Sequence, residues 1–92
     1  MIVGSLRVRL LLRESRTLKD KRQVVLSIKD RLRGRLNVSI AEVDALEHRQ
    51  LAVLGVAAVG NEAGRVRATL QQVVDDLRSH PVAELLDHEM DV

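Results

Sequence analysis

Residues 17–35 read Thr-Leu-Lys-Asp-Lys-Arg-Gln-Val-Val-Leu-Ser-Ile-Lys-Asp-Arg-Leu-Arg-Gly-Arg, and the rest of the chain is organised around them. Thr17 is a good N-cap. Asp20, three residues on, can reach back to the Thr17 amide, and its charge suits the positive end of a helix. Leu18, Val24, Val25, Ile28 and Leu32 recur at helical spacing on one side. Gly34 offers the left-handed residue on which helices commonly end. These signals predict a helix over roughly Leu18 to Arg33. Lys19, Arg22, Lys29 and Arg33 form a second stripe along its flank, three, seven and four residues apart, with Leu26 among them.

On either side of this helix the period changes from 3.6 to two. In Ile2 to Leu12 the residues Ile2, Leu6, Val8, Leu10 and Leu12 alternate with Ser5, Arg7, Arg9 and Leu11, as in a half-exposed antiparallel strand. Leu36 to Leu46 reads as a second strand whose alternation breaks between Ile40 and Val43, where a bulge is expected. Glu47-His48-Arg49 is a hairpin connection. Gln50 to Val59 is apolar on both faces, as a central strand is, and Gly55 inside it points to a bulge or a close backbone approach. Gly60-Asn61 closes that strand, with Asn61 as the expected cap of a second helix carrying Val66, Leu70, Val73 and Leu77. His80-Pro81 stops the helix, and Val82 to Met90 is the last strand.

The order strand, helix, strand, strand, helix, strand makes residues 1–92 one α+β domain: a ferredoxin-like βαββαβ sandwich, a four-stranded antiparallel sheet with both helices on one face. Right-handed crossovers put the first and third strands side by side in the centre. Because helices cover one face only, Leu54, Val56 and Leu11 are expected in an exposed patch, and with it a homodimer through the open face or a strand edge.

Composition narrows the function classes. The chain has no Phe, Tyr or Trp, so its core is aliphatic and it lacks the rings on which bases stack. It has no Cys, which removes disulfides, thiolate metal sites and cysteine nucleophiles and suits a reducing compartment. No apolar run approaches the ~20 residues of a membrane span. A cytoplasmic protein is expected. The net charge is only +2, but its distribution is uneven. Basic residues dominate up to Leu46; acidic residues dominate beyond it. Such asymmetry fits a polyanion-binding face, and it equally fits two halves that attract each other.

Several stretches resemble a known bacterial family. Ser15-Arg16-Thr17-Leu18-Lys19-Asp20-Lys21-Arg22 is similar to an "SLKDKR" signature. Leu36-Asn37-Val38-Ser39-Ile40-Ala41-Glu42-Val43-Asp44 is similar to an "FNVSVAEVD" strand. Leu54-Gly55-Val56-Ala57 with Gly60-Asn61 is similar to the third strand and following helix start. These are the marks of the YlxP-like family, a domain of unknown function. Thr17 stands where the family has Ser, and Leu36 where an aromatic is common. The resemblance runs essentially end to end and implies the ferredoxin-like fold and a cytoplasmic protein. In many bacteria such genes lie among those for transcription, translation initiation and ribosome maturation factors. It implies no enzymatic activity and no established binding residues.

The residues themselves nominate one main candidate. Lys19, Arg22, Lys29 and Arg33, extended by Arg13, Arg16 and Arg35, form a basic surface suited to RNA, where several cations act together through counterion release. A solvated helix face has the same appearance. Arg7 and Arg9 are candidate contacts on the open sheet face; pairing with the acidic last strand or with a partner subunit is the alternative. Lys21 falls inside the apolar arc, where its stem is expected to snorkel over the core edge. Asn37, Ser39, Glu42 and Asp44 read as strand-edge polarity, with Glu42 and Asp44 two apart on one face. His48, His80 and His88 share no metal-ligand spacing, and His80 suits the negative end of a helix. No nucleophile elbow or phosphate loop is present, so neither catalytic residues nor a cofactor or metal are expected. The leading expectation is a non-enzymatic RNA- or ribosome-associated accessory protein. The rival is a protein-interaction or homodimerisation module, and acylphosphatase-like chemistry comes third.

Overall fold

The two periodicities become β1 (Ile2–Leu11), α1 (Leu18–Arg35), β2 (Val38–Asp44), β3 (Leu51–Gly60), α2 (Ala63–Arg78) and β4 (Glu84–Asp91) in a computed structural model that describes residues 1–92. The strands form one antiparallel sheet in the order β2-β3-β1-β4, with β1 and β3 central. This is the ferredoxin-like α+β sandwich.

Register decides which side chains the helices cover. Leu6 lies opposite Val56, Val8 opposite Leu54 and Leu10 opposite Ala52. All six are buried beneath Val25, Ile28 and Leu32 of α1 and Val66, Leu70, Val73 and Leu77 of α2. With no aromatic ring available, aliphatic side chains supply this core, each contributing about 1.5–3 kcal/mol.

The same register corrects the expected patch. Leu54 and Val56 face the helices and are buried, and Leu11 is half-buried. The open face of β3 instead carries Leu51, Val53, Gly55, Ala57 and Val59, opposite Leu11, Arg9, Arg7, Ser5 and Val3. Two irregularities lie in the edge strands. In β2 the register shifts between Glu42 and Asp44, so Val43 is the extra residue and the two carboxylates point to opposite faces rather than sharing one. In β4 it shifts between Asp87 and Leu85, which leaves Leu86 exposed. Bulges in both edges also blunt strand addition by other chains.

Glycine matters at two close approaches. A Cβ on Gly4 would lie 2.6 Å from Val66 Cγ1, so β1 and α2 meet there backbone to side chain. A Cβ on Gly55 would lie 2.9 Å from Val43 Cγ1, so the bulged valine folds over β3 where β3 has no side chain. Gly34, by contrast, does not end α1 in a left-handed conformation. No glycine has positive φ, and α1 continues through Gly34 to Arg35. The chain passes straight into extended structure at Leu36 (φ −129°), whose amide donates to the Leu32 carbonyl and whose side chain packs against the core. For α2 the cap position is Glu62 rather than Asn61, with no side-chain capping bond.

Gly34 has open space around its Cα. Gly34→Ala should therefore raise stability by about 0.5–1 kcal/mol. Gly4→Val should lower it by about 1–3 kcal/mol through overpacking against Val66. Urea denaturation of the two variants reads both signs.

Candidate nucleic-acid interface

The start of α1 is built as the sequence suggests. Thr17 Oγ1 accepts from the Asp20 amide at 3.1 Å, and Asp20 Oδ2 accepts from the amides of Arg16 (3.0 Å) and Thr17 (3.2 Å). Those bonds, the Arg16 amide first, hold the Asp20 carboxyl below its ordinary range.

Lys21 corrects the snorkelling expectation. Its side chain is 0% exposed. Nζ donates to the carbonyls of Ala45 (2.9 Å), Leu46 (3.2 Å) and Leu51 (3.2 Å). An ammonium has three protons, and three carbonyls take them. Glu42 Oε2, 2.8 Å from Nζ, makes no hydrogen bond and acts as the counter-ion. Glu42 reaches it because β2 turns Val38, Ile40 and Glu42 to the helix side, opposite Ala58, Val56 and Leu54. The ammonium thus closes the β2–β3 turn, including Ala45 at φ 54°, the one non-glycine residue with positive φ. A lysine held by four partners is structural, and it is removed from the surface charge.

The nine nominated cations divide into two groups. Arg7 bonds Asp44 at 3.0 Å, reaching across β3 over Gly55. Arg9 and Asp87, side by side on β1 and β4, form a bidentate pair with contacts of 2.7–3.0 Å. These pairs hold both aspartates below their ordinary range; for Asp44 the Ala45 amide contributes most and for Asp87 the Arg9 hydrogen bond. Arg13 bonds Glu84 at 2.9 Å. Arg35 shares Asp76 of α2 with Arg31, at 3.1 and 2.6 Å. Two residues beyond Arg33, Arg35 lies on the opposite side of the helix and faces α2.

Arg16, Lys19, Arg22, Lys29 and Arg33 have no carboxylate within ion-pair distance. The last four keep their stripe on α1, with Leu26 in its middle at 54% exposure. Arg49, which the sequence reading passed over, lies beside Arg16: its guanidinium reaches the Arg16 carbonyl at 3.5 Å. The open sheet face has the opposite character. Opposite Leu11, Arg9, Arg7 and Ser5, β4 sets Glu84, Asp87, Glu89 and Asp91 in a column. Next to it Ser5, Ser39, Ala41, Gly55 and Ala57 floor a trough of about 530 Å³ walled by Val43 and Arg7.

The histidines hold turns. Nδ1 of His48 accepts from the amides of Gln50 and Leu51, and Nδ1 of His80 from those of Val82 and Ala83. The latter keeps Val82 and Ala83 in a turn, so β4 starts at Glu84 rather than Val82. Burial, then the charge of Arg31, lowers the His80 pKa below its ordinary 6.5. No three His, Asp or Glu side chains converge as metal ligands. No helix is long and apolar enough to cross a membrane.

The profile of the family described as "Protein of unknown function (DUF503)" matches residues 3–90, and the chain belongs to that family. It is also 29% identical over 83 residues, 90% of either chain, to the protein of Bacillus subtilis (strain 168) named "Uncharacterized protein YlxP".

Lys21→Met strands Glu42 and three carbonyls, and should cost about 3–5 kcal/mol in chemical denaturation; adding Glu42→Leu should recover part of the loss. The His80 pKa is depressed, so its contribution to stability is complete above 6.5. It is lost as pH falls from there to the lower folded-state value. His80→Asn keeps an acceptor and removes the titration. Between pH 7.5 and 5 the parent should lose more stability than this variant.

Proposed function

We propose that this protein is a non-catalytic RNA-binding accessory factor acting on the ribosome or its RNA through the outer face of α1. One observation carries the reading. The arginines of the sheet are neutralised by carboxylates, whereas Lys19, Arg22, Lys29 and Arg33 stand unpaired along one stripe. Exposed like charges that repel one another along a helix disfavour it slightly. A polyanion relieves that repulsion and releases counterions from its own phosphates as it binds. The gene surroundings implied by the YlxP-like resemblance point to RNA among the polyanions.

A second reading rests on the trough. Its small-residue floor and the exposed Val3, Val43 and Val59 around it suit a protein surface, with a second copy of this chain as the simplest occupant. Ala57→Lys would fill it; a dimer seen by light scattering at high micromolar concentration should then become a monomer, and a monomeric parent removes this reading.

For the RNA reading, affinity for ribosomal RNA fragments should fall steeply with salt. With about four phosphates neutralised, the log–log slope is roughly −3 to −4. Changing Lys19, Arg22, Lys29 and Arg33 together to Gln should flatten the slope and leave the fold intact, since none lies in the core. Changing Arg65 and Arg67 of α2 should matter less. Binding that is absent at low ionic strength, or unchanged in the fourfold variant, contradicts the proposal.

A further inference from the structure

We infer that the α1 face takes double-helical RNA in preference to single strands, an inference that rests on the RNA reading above. Single strands are held in grooves that track the backbone while aromatic side chains stack the bases. This chain has neither device at its cationic surface. It contains no aromatic residue. Lys19, Arg22, Lys29 and Arg33 line none of the four main concavities, of about 390 to 530 Å³. They stand along one flank of the helix, a convex rod, with Lys19, Arg22 and Arg33 exposed and Lys29 half-buried.

The open sheet face offers single strands no alternative. Its two arginines are bonded to Asp44 and Asp87. Glu89 and Asp91 beside them have no cationic partner and repel phosphate. Arg33 lies 14 residues beyond Lys19, about 21 Å along a straight helix. A line of cations on a convex rod meets phosphates best where two strands hold them in fixed rows. Double-stranded RNA is recognised in this manner, by shape and by phosphate and 2′-hydroxyl contacts across its wide minor groove. The exposed Leu26 gives the stripe an apolar centre that lies over the groove, between the phosphate rows. A single strand must first be ordered to present the same row, and that ordering opposes binding.

Fluorescence anisotropy tests this with the intact protein and three probes of about 20 nucleotides per strand: an RNA duplex, one of its strands chosen not to self-pair, and the DNA duplex of the same sequence. Phosphate concentration and a low salt concentration are matched throughout. The RNA duplex should bind at least about tenfold more tightly than the single strand. The fourfold Gln variant should bring the duplex down to the single-strand level. Equal or tighter binding of the single strand overturns this inference and leaves the RNA reading standing; duplex binding that is unchanged in the variant overturns both this inference and the RNA reading. Tighter binding of the DNA duplex than of the RNA duplex also overturns it, because a helix fits the wide major groove of B-form DNA. Binding of no probe overturns both readings.

Discussion

A buried ammonium fixes how this sandwich is assembled. Lys21 Nζ sits where α1 crosses the hairpin of β2 and β3, satisfied by three carbonyls and faced by Glu42. Taking such a charge out of water is costly, and only complete satisfaction makes it tolerable. That requirement is directional in a way apolar packing is not. It holds the β2–β3 turn against the helix, and it sets the rotation of α1 about its own axis. Once Lys21 points inward with Val25, Ile28 and Leu32, Lys19, Arg22 and Arg33 are left facing solvent, with Lys29 half-exposed between them. The same turn carries Arg49 to the side of Arg16. One interior cation thereby orients the exterior ones.

Charge is otherwise sorted by face. On the sheet, cations and anions meet in short pairs, and the surplus on β4 is acidic. Between the helices, Asp76 draws in Arg31 and Arg35. Exposed pairs of this kind add little to stability, about 0–1 kcal/mol each. Their consequence is electrostatic: they neutralise Arg7, Arg9, Arg13, Arg31 and Arg35, and leave the four cations of the α1 stripe, with Arg16, Arg49, Arg67 and Arg78, without a carboxylate partner. A protein of net charge +2 thus presents a basic stripe on α1 and an acidic column on β4. The uneven charge of the two halves of the chain serves both ends, since Asp87 of β4 neutralises Arg9 of β1 and Asp76 of α2 neutralises Arg31 and Arg35, while Lys19, Arg22, Lys29 and Arg33 are left unmatched.

Much of this is legible in the sequence. Period two, period 3.6 and the Thr17–Asp20 cap give the element order, the central position of β1 and β3, and the buried stripe of each helix. The Lys21–Glu42 pair was also within reach. Lys21 shares the helical face of Val25 and Ile28, and Glu42 the strand parity of Val38 and Ile40, so two opposite charges stand in two apolar stripes. The parity argument fails at Asp44, because the extra residue at Val43 turns the strand over. A bulge changes faces for every residue beyond it; the break in alternation between Ile40 and Val43 marks this one, and the face of Asp44 follows only when the extra residue at Val43 is counted. Gly34 misleads for a different reason: the core contact of Leu36 demands an extended exit, so tertiary packing overrides the local signal. Which arginines are neutralised depends on register between strands distant in sequence, and that appears only in the folded chain.

The most direct test of this account reads the Lys21 ammonium itself. In a 15N–1H spectrum of the folded protein, surface lysine ammonium protons exchange with water too quickly to be seen near neutral pH. The account predicts one protected ammonium resonance that persists, disappears in Lys21→Met, and shifts in Glu42→Gln. A Lys21 ammonium that exchanges as fast as those of Lys19 and Lys29 would contradict it, and with it the assigned orientation of the basic stripe.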